Sequence, residues 1–154
     1  MITYVQGDLL QAPVDAIAHG CNCQKIFGAG VALQIARKWP EVVQADQDLA
    51  SSAEERLGQI DVVKLEAPTS AICWVINCYT QFNFGAGVQV DYQALLRCVQ
   101  RLGAYMAANG ISVAIPKIGA GLAGGDWRTI EGVINSQLPE SQELFVYTLP
   151  GDGQ

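Results

Sequence analysis

The feature that most constrains this chain is a series of short, almost continuously apolar runs separated by segments of helical periodicity. Trp74-Val75-Ile76 and Val113-Ala114-Ile115 offer no polar residue to a wet face. A strand with one solvated face alternates apolar and polar side chains, whereas a strand covered on both faces does not. Strands are expected at residues 2–6, 15–19, 60–65, 72–79, 112–118 and 144–149. Between them, residues 30–38 read as a helix halted at Trp39-Pro40. Residues 92–108 read as another, with Leu95, Val99, Leu102 and Met106 on one face, Asp91 as cap and Asn109-Gly110 as stop. A third is expected at 127–136 behind Asp126, and 41–56 is expected to be partly helical. The alternation predicts an α/β layered fold with a mainly parallel sheet, whose ligand site lies at the carboxyl ends of the strands.

Composition narrows the function classes. A length of 154 residues with no repeat or long linker fits a single domain over 1–154, and half the residues are hydrophobic. The formal charge of −6 argues against bulk binding to nucleic acid or to an anionic membrane. No run approaches the ~20 apolar residues of a membrane span. The N-terminus Met-Ile-Thr-Tyr-Val lacks a signal peptide's basic region, so a cytoplasmic location is expected. Five cysteines without regular spacing make a poor disulfide framework; Cys73, Cys78 and Cys98 read as buried thiols. With one histidine in the chain no zinc site is expected, and neither metal nor cofactor is called for.

Two glycine-rich loops each follow an expected strand and lead into a helix: Gly28-Ala29-Gly30-Val31-Ala32, and Gly119-Ala120-Gly121-Leu122-Ala123-Gly124-Gly125. Glycine lets the backbone approach a ligand, and a helix N-terminus offers free N–H groups and partial positive charge. The pair favours an anion site over two empty turns. Gly119, Gly121 and Gly124 also spell Gly-x-Gly-x-x-Gly, but only one strand follows, so no dinucleotide-binding half can be completed.

Other polar residues fall near the same mouth. His19, expected at the end of the second strand, either exchanges protons near neutral pH or hydrogen-bonds a backbone carbonyl. Asn22 suits a sugar hydroxyl pair or braces its loop. Asp8 fits an exocyclic amine or a helix cap, and Asp126 is either a cap or a carboxylate beside the second loop. Tyr79, Phe82 and Phe84 pack on a base or ribose, or simply within the protein.

Taken together these residues resemble a macrodomain, the family that binds ADP-ribose. The resemblance runs from Ile2-Thr3-Tyr4-Val5-x-Gly7-Asp8-Leu9 through His19-x-Cys21-Asn22-Cys23, Gly28-x-Gly30 and Tyr79-Thr80. It continues through Pro116-x-Ile118-Gly119-x-Gly121-Leu122 and Trp127 to Val146-Tyr147-Thr148-Leu149. It implies a three-layer α/β/α fold with a mixed, mainly parallel sheet, and a monomer whose partner is ADP-ribose or a derivative. The His-x-Cys-Asn-Cys stretch is most similar to the ADP-ribose-1″-phosphate phosphatase branch.

By that resemblance Asp8 and the Leu9 amide receive adenine, while Gly28, Ala29, Gly30 and Val31 with Gly119, Ala120, Gly121 and Leu122 wrap the diphosphate and distal ribose. Tyr79 and Thr80 contribute to binding. His19 and Asn22 border the distal ribose, His19 as proton donor or water activator, with Asp126 as a second acid/base group. The implied activity is metal-independent removal of the 1″-phosphate. A neighbouring branch releases ADP-ribose from protein or DNA with a lysine at the position of Gln81 and, in its protein-directed members, an aspartate at that of Ala123. An amide cannot form the covalent sugar adduct of an amine. A module that binds ADP-ribose without turnover, and a hydrolase acting by direct water attack, are the alternatives.

Overall fold

The computed structural model describes residues 1–68 and 70–150. Six strands form one sheet: β1 Ile2–Gln6, β2 Ala16–Asn22, β3 Ile60–Lys64, β4 Trp74–Gln81, β5 Val113–Ile115 and β6 Leu144–Thr148. Their order is β1-β6-β5-β2-β4-β3. Every neighbouring pair is parallel except β3–β4, so the sheet is mixed and mainly parallel. The helices are α1 Gly30–Lys38, α2 Pro40–Gln47, α3 Ala53–Arg56, α4 Tyr92–Asn109 and α5 Trp127–Gln137.

The apolar runs are explained by what covers each face. In β2, Ala16 and Ala18 join the core under α4 and α5, while Ile17 joins a second core with Ile35, Trp39 and Val42 of the α1–α2 side. The same division separates Ile76 and Cys78 from Val75 in β4, and Val113 and Ile115 from Ala114 in β5. Both parities of each strand are therefore buried, giving three layers with the sheet in the middle. Asp91 caps α4 by accepting from Gln93 N and Ala94 N, and Gly110 ends it at φ +61°.

Several boundaries differ from expectation, and the differences matter for the site. β2 runs to Asn22 rather than stopping at His19, because its pairing with β4 continues through His19↔Asn77 to Asn22↔Gln81 across a bulge. His19 thus lies inside a strand. β4 is displaced to end at Gln81, which places Tyr79 and Thr80 within it. β5 is shorter than 112–118 because Pro116, lacking an N–H, follows it directly. Residues 41–56 resolve into α2 and α3, the latter opened by a Ser52–Glu55 capping box. A short 3-10 turn at Leu9–Gln11 was not anticipated. Cys78 and Cys98 are buried, whereas Cys73 is only half-buried. Among the described residues, no helix is long and apolar enough to cross a membrane.

Ile134 is fully buried between α5 and the sheet. Ile134→Ala is expected to cost about 2–5 kcal/mol of unfolding free energy. The exposed Ala104→Ser should change it by less than about 0.5 kcal/mol. Urea denaturation checks both.

Candidate active site

A cleft of about 1600 Å³ opens where β1, β2, β5 and β6 end. Its lining includes Gln6, Asn22, Pro116 and Thr148, all at or just past strand carboxyl termini. The two glycine loops form its walls. Gly30 starts α1 at φ +61°, and the N-cap Ala29 has no side-chain oxygen to offer the first turn. That turn presents its N–H groups beside the cleft, where partial positive charge accumulates. Gly119 opens the opposite wall at φ +78°, and Gly125 N closes the turn on Gly119 O at 2.8 Å. The loops meet: a methyl group added to Gly30 would lie 3.0 Å from Leu122 Cδ1. Gly28, Ala29, Gly30, Val31, Gly119, Ala120, Gly121 and Leu122 all line this space.

The polar side chains are distributed differently from the sequence expectation. His19 sits at the cleft floor but is only 1% exposed. Its Nε2 lies 2.7 Å from Asn77 Oδ1, and its ring packs edge-on against Phe27 at 5.6 Å. An amide oxygen only accepts, so Nε2 carries the proton and donates. Burial lowers the imidazole pKa to about 4, with Asn77 opposing weakly. The ring is therefore neutral at pH 7, and in place of the proton exchange near neutral pH expected of His19 the structure has a buried imidazole that donates to Asn77.

Tyr79 and Thr80 are fully buried and are not among the residues that line the cleft. Tyr79 donates its hydroxyl to Asp46 Oδ1 at 2.5 Å. Thr80 packs under Gly20, where an added methyl would come within 2.9 Å of its Oγ1. Both expected binding side chains are struts beneath the site. Asn22 lines the cleft but donates to Ile26 O at 2.9 Å and accepts from Gln24 N at 2.9 Å, so it braces the first loop. Asp126 lines it too, with Oδ1 accepting from Arg128 N at 3.3 Å and Oδ2 from Thr129 Oγ1 at 2.9 Å. It caps α5. Asp8 and Leu9 lie after β1, outside the cleft lining. Asp8 Oδ1 caps the 3-10 turn at Leu10 N, and the Leu9 side chain is buried in the core.

Two groups escaped the sequence reading. On the cleft wall, Trp127 Nε1 donates to the Tyr4 hydroxyl at 2.9 Å, and that hydroxyl donates to Glu131. Burial, then the Glu131 hydrogen bond, raises the tyrosine pKa. The exposed alternation of Tyr4 and Gln6 along β1 was the available signal. Beneath the first loop, buried Arg56 donates to Cys23 O at 2.7 Å and to Ser51 O at 2.5 Å, with its guanidinium 6.0 Å from the centre of the Tyr79 ring. Asp46 is buried in the same place, and desolvation raises its pKa. No sequence pattern marks this network, because its members come from separate elements.

His19 yields a clean measurement, since it is the only histidine in the chain. Its folded pKa of about 4 lies below the ordinary 6.5, so the unfolded chain takes up the proton first. The stability present above about pH 6.5 is lost as pH falls toward about 4, on the order of 3 kcal/mol in all. NMR titration should show a neutral Nε2–H ring down to that range, and His19→Gln should flatten the acid dependence of the urea midpoint. Tyr79→Phe should cost about 1–3 kcal/mol in urea denaturation, because it strips buried Asp46 of its hydroxyl donor.

Residues 18–134 match the Macro domain family. An uncharacterized 17.5 kDa protein of Enterobacteria phage T4 is 34% identical, over 95% of this chain and 96% of that protein. The DNA ADP-ribosyl glycohydrolase of Mycobacterium tuberculosis is 30% identical over 99% of this chain, which spans 43% of that relative's length. The solved macrodomain of Mycobacterium tuberculosis DarG superposes with a TM-score of 0.78 at 28% identity, over 96% of this chain and 97% of that one. An ADP-ribose 1″-phosphate phosphatase of Lodderomyces elongisporus is 26% identical over 96% of this chain and 98% of its own. With the six-stranded sheet, the terminal cleft and its paired glycine walls in place, the chain belongs to the macro domain family.

Proposed function

We propose that the protein binds ADP-ribose in the cleft and hydrolyses a substituent from C1″ of the distal ribose. The observation that carries this reading is the meeting of two backbone anion cradles across one cleft, the uncapped first turn of α1 and the turn from Gly119 to Leu122. The activities of the glycohydrolase and phosphatase relatives support it, since both act on an ADP-ribose unit. Asp8 and the Leu9 amide would take the adenine end. The capping bond of Asp8 uses Oδ1 and leaves Oδ2 for an amine. Gly28 to Val31 and Gly119 to Leu122 would hold the diphosphate, and Asn22 would border the distal ribose.

For ADP-ribose-1″-phosphate, a water oxygen bonds to phosphorus as the ester P–O bond breaks. The water proton passes to the departing C1″ oxygen, giving ADP-ribose and inorganic phosphate. Loop N–H groups stabilise the charge that develops on the phosphoryl oxygens. His19 acts here as a positioning residue, holding Asn77 and Phe27 under the site, and Asp126 is the acid/base candidate on the wall. A second reading, release of ADP-ribose from a nucleobase, is favoured by the 30% identity to a DNA ADP-ribosyl glycohydrolase over nearly the whole chain. Gln81 lines the cleft with its Nε2 on Asn83 O at 2.7 Å, so the attack at C1″ would come from water rather than from a side-chain amine.

Calorimetry with ADP-ribose and phosphate release from ADP-ribose-1″-phosphate test the first reading. Binding without release above background removes the phosphatase activity and leaves a binding module. Gln81→Lys is expected to raise release of ADP-ribose from modified DNA by about tenfold or more, because it supplies the amine that the cleft lacks at that point. An unchanged rate excludes position 81 as the determinant.

A further inference from the structure

The cleft holds about 1600 Å³, against roughly 300–1,000 Å³ for most small-molecule sites, and it continues past the glycine loops toward β1. Its wall at that end is made by Tyr4 and Gln6 of β1 and by Trp127, Arg128 and Glu131 of α5. Three strand spacings, about 14 Å, separate β1 from β2, which ends at Asn22. A ligand whose distal ribose lies at Asn22 therefore carries its nucleoside toward β1.

Two hydrogen bonds fix the groups on this wall. Trp127 Nε1 donates to the Tyr4 hydroxyl at 2.9 Å, which leaves that hydroxyl's own proton for Glu131 Oε2. The two rings pack edge to face with centroids 6.5 Å apart. Glu131 Oε1 holds no hydrogen bond among the described residues, and the half-buried side chain lines the cleft. Asp126 lines it too, but both its oxygens accept from the first turn of α5. Arg128 precedes Glu131 by three residues, so the guanidinium and the carboxylate occupy neighbouring positions on one helix face. Lys117 borders the same cleft two residues after β5.

That pairing of charges selects the ligand group. A cation here meets Arg128 and an anion meets Glu131, so neither gains a full counter-ion. A hydroxyl both donates and accepts, and it can use an acceptor-only carboxylate beside a donor-only guanidinium. A carboxylate that takes a ribose hydroxyl is a recurrent solution in nucleotide sites. We propose that Glu131, held by Tyr4, accepts a hydrogen bond from the 2′,3′-diol of the adenosine ribose, and so selects ligands whose adenosine hydroxyls are free. The proposal rests on the ADP-ribose reading above and adds a determinant at the end of the ligand away from the reaction.

The test is calorimetry with four probes: ADP-ribose, its 2′-deoxyadenosine and 3′-deoxyadenosine analogues, and ADP-ribose 2′-phosphate. The wild-type protein should bind at least one deoxy analogue about tenfold more weakly than ADP-ribose. Glu131→Ala should weaken ADP-ribose by about tenfold and change that deoxy analogue by less than about twofold. Glu131→Gln keeps an acceptor and drops the charge, so it should shift preference toward the 2′-phosphate by about threefold or more. Tyr4→Phe should repeat the selective loss of Glu131→Ala in smaller degree, because the carboxylate loses its tether. Equal wild-type binding of ADP-ribose and both deoxy analogues, no loss of ADP-ribose in Glu131→Ala, or one loss common to all four probes overturns the role of Glu131 and leaves the ADP-ribose reading standing. A wild-type protein that binds none of the four overturns both.

Discussion

Parallel strand pairing is the constraint on which the rest of this molecule depends. Parallel neighbours cannot be joined by tight hairpins, so the chain must cross over between them, and the crossovers cover both sheet faces with helices. The strands β2, β4 and β5 are therefore apolar at consecutive positions, with Ile17, Val75 and Ala114 facing one layer and Ala18, Ile76 and Ile115 the other. The same pairing sends the carboxyl ends of β1, β6, β5, β2 and β4 to one edge. Every segment that leaves that edge contributes to a common mouth. The cleft is the space where these loops diverge.

What the loop sequences add is recognition without charge. A chain of net charge −6 reads poorly as a partner for a diphosphate. Yet backbone N–H groups do not enter a charge count, and a helix N-terminus concentrates them. Ala29 matters here because its methyl cannot cap α1, whereas the aspartates that precede α4 and α5 do cap those helices. A serine or aspartate at position 29 would satisfy the N–H groups that a phosphate oxygen would otherwise use. Gly119 serves the same end differently: at φ +78° only glycine turns comfortably, and an added methyl would also lie 3.0 Å from Val90.

The layer order, the long helix α4 and both glycine loops were legible in the sequence because each leaves a local mark: a period, a cap or a cluster of glycines. The polar side chains were legible as residues but not as roles. His19, Tyr79 and Thr80 each stood beside the mouth when read along the chain. All three turned out to be inside strands, because β2 and β4 extend one another two to three residues past the expected ends. A strand end is set by the partner's length, and no single segment records that. Arg56 and Asp46 were invisible for a related reason. They occur in short helices of weak periodicity, and only the packing of α2 and α3 against the first loop shows that both are buried with Tyr79.

The buried residues and the exposed loops can then be seen as two parts of one device. Arg56 holds Cys23 O and Ser51 O, while Lys25 holds the end of α2 from a left-handed conformation at φ 60°. Between them they fix the strand-to-loop segment that carries Asn22, Ile26 and Gly28. Both of these cations are thus spent on protein carbonyls, while Lys117 and Arg128 line the cleft elsewhere. A cleft arranged this way would offer a phosphate group the backbone N–H groups of the two glycine loops.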